Sequence, residues 1–455
     1  MDRTHLIKPV LDYNYPTVAS GNGIYLYDTE GKQYIDGSSG AVTASIGHGV
    51  PEIAEAMMAQ AGKVSFAYRS QFTNEPAEKL AKKLSELSQG DLNWSFFVGS
   101  GSEATETAMK IAIQHWQEKG HERKNRFISR WMSYHGITMG ALSMSGHVQR
   151  RKRFVPLLED YPSVSAPYCY RCPLNNVYPG CSLMCARELE TSILRIGPEN
   201  VAGFIAEPII GASGGAVTPP DGYYQEIKRI CEKFDILFIA DEVMTGVGRT
   251  GKMFAMEHWG VAPDIIALGK GMSAGYTPMA ATLVSDRVMQ PILNGSKSVM
   301  AGHTYSANPQ SAAVCLAVLD YIDKHNLVQA AEVNGQYLME KLRSIADRLS
   351  IIGDVRGKGL LLGLEFVSDK HTRGLFPLSL GVTTRVIKRA FEKGLLVYSA
   401  AGGIEGAAGD AIIISPPLII TKEQIDRLVQ LLESAIVEVQ AELQVEGHLG
   451  SMQTI

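Results

Sequence analysis

The chain has 455 residues, with 43 Lys+Arg against 47 Asp+Glu and a formal net charge of −4, enough for roughly two to three domains at about 150 residues each. That balance excludes a basic nucleic-acid stripe or an acidic tail, and no apolar run approaches the roughly 18 residues that would cross a bilayer. The N-terminal MDRTHLIKPVLDYNYPTV lacks a secretory apolar stretch, so the expectation is a cytoplasmic protein whose six cysteines are thiols or ligands.

In chain order, Thr73 and Asn74 as caps, Pro76 in the first turn, Leu80, Leu84 and Leu87 on one face and Gly90 beyond the end predict a helix. A buried strand follows from Trp94 to Val98, then the turn Gly99-Ser100-Gly101 and a helix from about Ser102 to Trp116. Short β runs near Phe127, Val201 to Ala206, Ile236 to Ala240 and Ile265 to Leu268, with a helix from Tyr223 to Phe234, predict an α/β fold with a mostly parallel sheet. Asn308-Pro309 starts a long connecting helix to about Lys324. A smaller α+β unit follows: a helix from about Leu327 to Leu349, β runs at Leu360 to Phe366, Leu395 to Tyr398 and Ala411 to Ser415, and a terminal helix from Thr421 to about Leu443.

Several of these junctions carry chemistry. Ser100, Gly101 and Ser102 at a helix start offer amides and hydroxyls to an anion, although an N-cap serine without ligand looks the same. Ser133-Tyr134-His135-Gly136 sets an aromatic and an imidazole beside a flexible glycine, suited to stacking on a planar ring. The strand ILFIA ends in Asp241 and Glu242, carboxylates delivered to the carboxyl edge of a parallel sheet; a salt-bridged structural pair is the alternative. Lys270 follows an apolar strand between two glycines, where burial would lower its pKa and favour the neutral amine that a Schiff base needs. A solvated turn lysine is the bland reading. Gly246-Val247-Gly248-Arg249-Thr250-Gly251 has dinucleotide-loop spacing, but no clean helix and no acid at the end of a second strand accompany it. Cys169, Cys172, Cys181 and Cys185 raise a structural zinc site against reduced loop thiols or a labile disulfide; no metal is expected in the chemistry.

An anion cradle, a stacking aromatic, a carboxylate for a ring nitrogen and a lysine for an aldehyde together suit pyridoxal 5′-phosphate. With YDTEGKQYIDGSSG, IGHG, GSGSEATETAMKIA, SYHG, FIAEPIIG, DEVMTGVGRTG, APDIIALGKGMSAGY, GHTYSANP, VRGKGLLLGLEF and SPPLIIT in order, the chain resembles the class III pyridoxal-phosphate-dependent aminotransferases of the ω-amino acid and amine type. The resemblance implies fold type I: a large domain (61–325) with a mostly parallel seven-stranded sheet, a C-terminal small α+β domain (326–455), and an N-terminal segment (1–60) contributing to the small domain and the active-site entrance.

It also implies roles. Lys270 bonds the cofactor aldehyde and Asp241 pairs with the pyridine nitrogen. Val243 backs the ring, with Tyr134 on its other face and His135 beside it. Ser100, Gly101 and Ser102 hold the phosphate, joined by Thr304 from the neighbouring subunit of a homodimer. Glu207 lies near the ring hydroxyl, and Tyr15, Phe66 and Tyr68 wall the substrate pocket. The implied reaction moves an amino group from an ω-amino acid or amine to a keto acid by a ping-pong route. An aminomutase or racemase on the same scaffold, or a nicotinamide oxidoreductase using GVGRTG, are the alternatives. Members that take α-keto acids often carry an arginine before the PPL motif, whereas GLLVYSAAGGIEGAAGDAIIISPPL has none. Arg69, Arg150, Arg373 or Arg385 could substitute, and the expected acceptor is a small keto acid such as pyruvate.

Overall fold

The computed structural model describes residues 5–401 and 409–449; part of the stretch without arginine, residues 402–408, lies outside them. Among the described residues no helix is long and apolar enough to cross a membrane.

Strands Val201–Ala206, Leu237–Asp241, Ile265–Leu268 and Ala280–Val284 are buried along their whole length, as near-continuous apolar runs are when both sheet faces are covered. They belong to a seven-stranded sheet in the order Trp94–Val98, Ala280–Val284, Ile265–Leu268, Leu237–Asp241, Val201–Ala206, Arg126–Arg130, Ser163–Val164. Only Ala280–Val284 runs against its neighbours. This is the expected α/β architecture, with one antiparallel strand that the sequence reading did not include.

Helix starts follow side-chain chemistry. The Asn74 side chain accepts from Ala77 N at 3.0 Å to open Glu75–Leu87, where Leu80 and Leu84 are buried. Asn308 does the same for Pro309–Lys324 through Ser311 N at 2.9 Å, and Thr421 with Gln424 closes a reciprocal cap on Lys422–Val445.

Two further sheets have four strands each. The first joins Val18–Asn22, Tyr25–Asp28 and Gln33–Asp36 to Leu395–Leu396 by parallel pairing, so early and late parts of the chain share a sheet. The second is antiparallel, built from Ile352–Lys358, Leu361–Phe366, Asp410–Ile414 and Tyr398–Ala401. The predicted strand from Leu395 to Tyr398 is therefore two strands in different sheets, parted at Val397.

Candidate active site

The parallel strands deliver the chemistry to one edge. Just beyond the carboxyl ends of Trp94–Val98, Arg126–Arg130, Val201–Ala206 and Ile265–Leu268 come Gly101 and Ser102, Tyr134 and His135, Glu207, and Lys270, while Asp241 ends the central strand. This is the edge where open α/β sheets bind ligands. A cavity of about 170 Å³ is lined by Gly101, Ser102, Tyr134, His135, Glu207, Asp241, Val243 and Lys270, joined by Gly136, Ala212 and Met244.

Asp241 is buried. Its Oδ2 lies 2.8 Å from His135 Nδ1, and its Oδ1 accepts the Val243 amide at 3.0 Å. A carboxylate oxygen has two lone-pair sites, so both keep capacity for a further donor. Neither lysine nor arginine pairs with Asp241 among the described residues, unlike Asp264 at the opposite end of the sheet, which holds Arg287 at 2.8 Å and Lys228 at 3.6 Å. Glu242 points elsewhere, onto Thr245 Oγ1 and the amides of Ala255 and Met256. The strand end thus separates a carboxylate that faces the cavity from one that braces a loop. His135 Nε2 is buried without a partner among the described residues.

Lys270 sits at φ +42, a left-handed conformation costly for a residue with a side chain. Desolvation brings its amine down from 10.5 to about 8, against the opposing pull of Asp241 and Glu207. Burial likewise pushes the Glu207 carboxyl up, with Asp241 adding to it, while His135 and the amides of Gly211 and Tyr134 pull it down. Those amides donate to Glu207 at 3.0 Å each. Arg130, fully buried, donates to the Glu207 carbonyl.

At the other end of the cavity, helix Gly101–Glu118 begins with Ser100, whose side chain accepts from Glu103 N. The amides of Gly101 and Ser102 precede the first intrahelical bond, Ala104 N to Ser100 O, and so face outward from the positive end of the helix. A Cβ on Gly101 would meet Val243 Cγ1 at 2.8 Å, and one on Gly136, at φ +141, would meet Ser102 Oγ at 2.5 Å. Only glycine leaves this cradle open.

Ser100 is exposed and does not line the cavity, and Thr304 is exposed and stands off it. Phe66 and Tyr68 line a separate cavity of about 590 Å³ with Phe72 and Asn74, and Tyr15 packs edge-on against Tyr13 at 4.6 Å. Within one chain these expected pocket residues do not meet Lys270.

The glycines of GVGRTG serve packing. Gly248 and Gly251 have positive φ; a Cβ on Gly251 would strike Glu332, and buried Arg249 donates to the carbonyls of Leu360 and Pro416. No α-helix starts there, and the first amides of the 3-10 helix that follows, Ala255–Trp259, already donate to Glu242 and offer nothing to a pyrophosphate, which removes the nicotinamide alternative. The four loop cysteines are free. Two of them, Cys169 and Cys172, line a cavity of about 710 Å³ with Arg171 and Arg373, and among the described residues no His, Cys, Asp or Glu cluster could hold a metal ion.

Sequence reasoning did not single out Met244 or Ala212 as cavity walls, nor Ser145, whose hydroxyl accepts the His135 amide at 2.8 Å. These are ordinary residues that carry no motif of their own.

Residues 12–436 match the family described as Aminotransferase class-III. The chain is 53% identical to an uncharacterized aminotransferase, YodT, of Bacillus subtilis, over 97% of this chain and 99% of that one. It is 34% identical to a putrescine–pyruvate aminotransferase of Pseudomonas aeruginosa, over 95% and 94%. Its structure resembles that of an amine transaminase from an uncultivated Pseudomonas species in the PLP-bound form, with a TM-score of 0.89 and 34% identity over 96% and 99%. The fold is that of the type I pyridoxal-phosphate transaminases, the cofactor is pyridoxal 5′-phosphate, and the chain belongs to the class III aminotransferases.

Proposed function

We propose that this enzyme moves an amino group from an ω-amino acid or amine to a keto acid, with pyruvate the acceptor, in two half-reactions that share one site. The observation that carries the reading is the company Lys270 keeps: an amine lowered to about 8 in one cavity with the Asp241 carboxylate and an open helix N-terminus. Pyridoxal phosphate, when bound, supplies an aldehyde for amines and a ring that takes up the electron pair left by a departing proton.

In this reading Lys270 bonds the aldehyde. As a free amine beside the substrate carbon, Lys270 would take a proton from that carbon and later return one. Asp241, oriented by His135, holds a proton on the ring nitrogen; a close opposite charge is worth about 1 to 3 pKa units there. Gly101 and Ser102 would receive the phosphate, Tyr134 and Val243 would cover the two ring faces, and Glu207 would stand on the ring hydroxyl side. Ser100 fixes the helix start. In a homodimer, Thr304 reaches the neighbouring subunit's phosphate, and Tyr15, Phe66 and Tyr68 complete the substrate pocket.

The experiment is spectral. The purified protein should show a visible absorption band that an amine donor bleaches and pyruvate restores. A racemase or aminomutase would convert its substrate without needing a second one, and a protein with no bleachable band would refute the reading.

A further inference from the structure

The C-terminal stretch lacks an arginine, and the structure separates the four candidates elsewhere. Arg385 is held by Glu446 at 2.7 Å, with Glu442 at 3.8 Å. Arg373 donates to the Tyr170 carbonyl and lies 4.8 Å from that ring. Arg69 donates to the Ala301 carbonyl and lies 4.9 Å from the Phe96 ring. Arg150 alone of the four lies against a wall of the Lys270 cavity, its guanidinium carbon 4.4 Å from the centroid of the Tyr134 ring.

Among the described residues Arg150 forms no salt bridge with a carboxylate, and its side-chain partner is Tyr134. Its charge nevertheless reaches Lys270, where it opposes protonation of the amine. The adjacent Arg151 anchors this short helix, Val148–Arg151, by donating to the carbonyls of Leu142, Ser143 and Ser145 at 3.1, 2.8 and 2.8 Å. Arg150 also hydrogen-bonds the Tyr134 side chain, which occupies one of the five N–H donors of a guanidinium and leaves the others for a planar anion.

We propose that Arg150 is the specificity residue that receives the substrate carboxylate, in place of an arginine from the C-terminal stretch. The inference rests on the transaminase reading of the site and narrows it. Among the described residues Arg150 is the one cation whose charge is felt at Lys270, and one guanidinium matches one carboxylate, so monocarboxylates such as pyruvate are favoured and a dicarboxylate leaves its second group without a partner.

The test starts from the amine-loaded holoenzyme and compares pyruvate with propanal, an uncharged acceptor of similar size, by single-turnover recovery of the visible band. A hydrogen-bonded charge pair of this kind corresponds to about a 10- to 150-fold preference. Arg150→Gln should therefore lower the pyruvate-to-propanal ratio of second-order constants at least tenfold, mainly through weaker binding, with Arg150→Lys in between. Because the ratio is taken within one preparation, a loss of folded protein leaves it unmoved. A ratio within threefold of the parent in both variants overturns the role of Arg150 while leaving the transaminase reading intact. A parent enzyme that transfers no amino group to either acceptor overturns both.

Discussion

An ordinary lysine at pKa 10.5 is neutral in only about one molecule in 3,000 at pH 7, whereas at about 8 the neutral fraction of Lys270 is about one in ten. Only the neutral amine attacks an aldehyde. Protein stripped of cofactor should therefore capture pyridoxal phosphate about 300-fold faster at pH 7 than an ordinary lysine would. For this base the depressed pKa means that protonation is lost early: capture should rise with pH up to about 8 and then level off. Stopped-flow absorbance across pH 6 to 10 reads the profile. Asp241 and Glu207 both favour the protonated form, so Asp241→Asn should move the midpoint to lower pH. A capture rate that keeps climbing tenfold per pH unit to pH 10 would refute the argument from desolvation.

Asp241→Asn should also slow the amine half-reaction by about 10- to 1,000-fold, the range that corresponds to 1 to 3 pKa units, while cofactor affinity falls far less; near-parent single-turnover rates would contradict the pyridinium role. Gly136→Ala places a methyl group 2.5 Å from Ser102 Oγ at a φ of +141, so cofactor affinity should drop at least tenfold and a thermal melt should show lower stability. Unchanged equilibrium dialysis and melting would show that the loop yields freely. In steady state, pyruvate should outperform 2-oxoglutarate with one donor, and a clear reverse preference would mean that a second cation serves the distal carboxylate.

Much of the large sheet is legible in the sequence because its parallel strands, buried on both faces, are short apolar runs that end in conspicuous residues: Asp241 after ILFIA, Lys270 after IIAL. Ala280–Val284 escapes notice because AATLV differs little from neighbouring loop text and its antiparallel direction leaves no mark. The Val18–Asp36 region escapes for a different reason. Val18–Asn22 is almost entirely exposed, so no inside–outside alternation betrays it, and its partner strand Leu395–Leu396 lies at the far end of the chain.

The same contrast runs through the site. Gly101, Ser102, Tyr134, His135, Glu207, Asp241 and Lys270 converge on one cavity because each lies at or just beyond a strand end, whereas Ser100 and Thr304 stand off it. The hydrogen bond from the His135 amide to Ser145 and the stack of Arg150 on Tyr134 depend on how the 139–151 segment folds back, which no local pattern encodes. The left-handed backbone of Lys270 was likewise hidden, although its glycine neighbours hinted at close quarters.

The central claim is that Lys270 is the amine that holds the cofactor, and borohydride reduction of the holoenzyme followed by peptide mass spectrometry tests it directly. The pyridoxyl label should fall on the peptide containing Lys270, and none should appear in Lys270→Ala, even if that variant retains cofactor through its phosphate contacts. A label on any other lysine in the parent enzyme, or undiminished labelling of the variant, would contradict it.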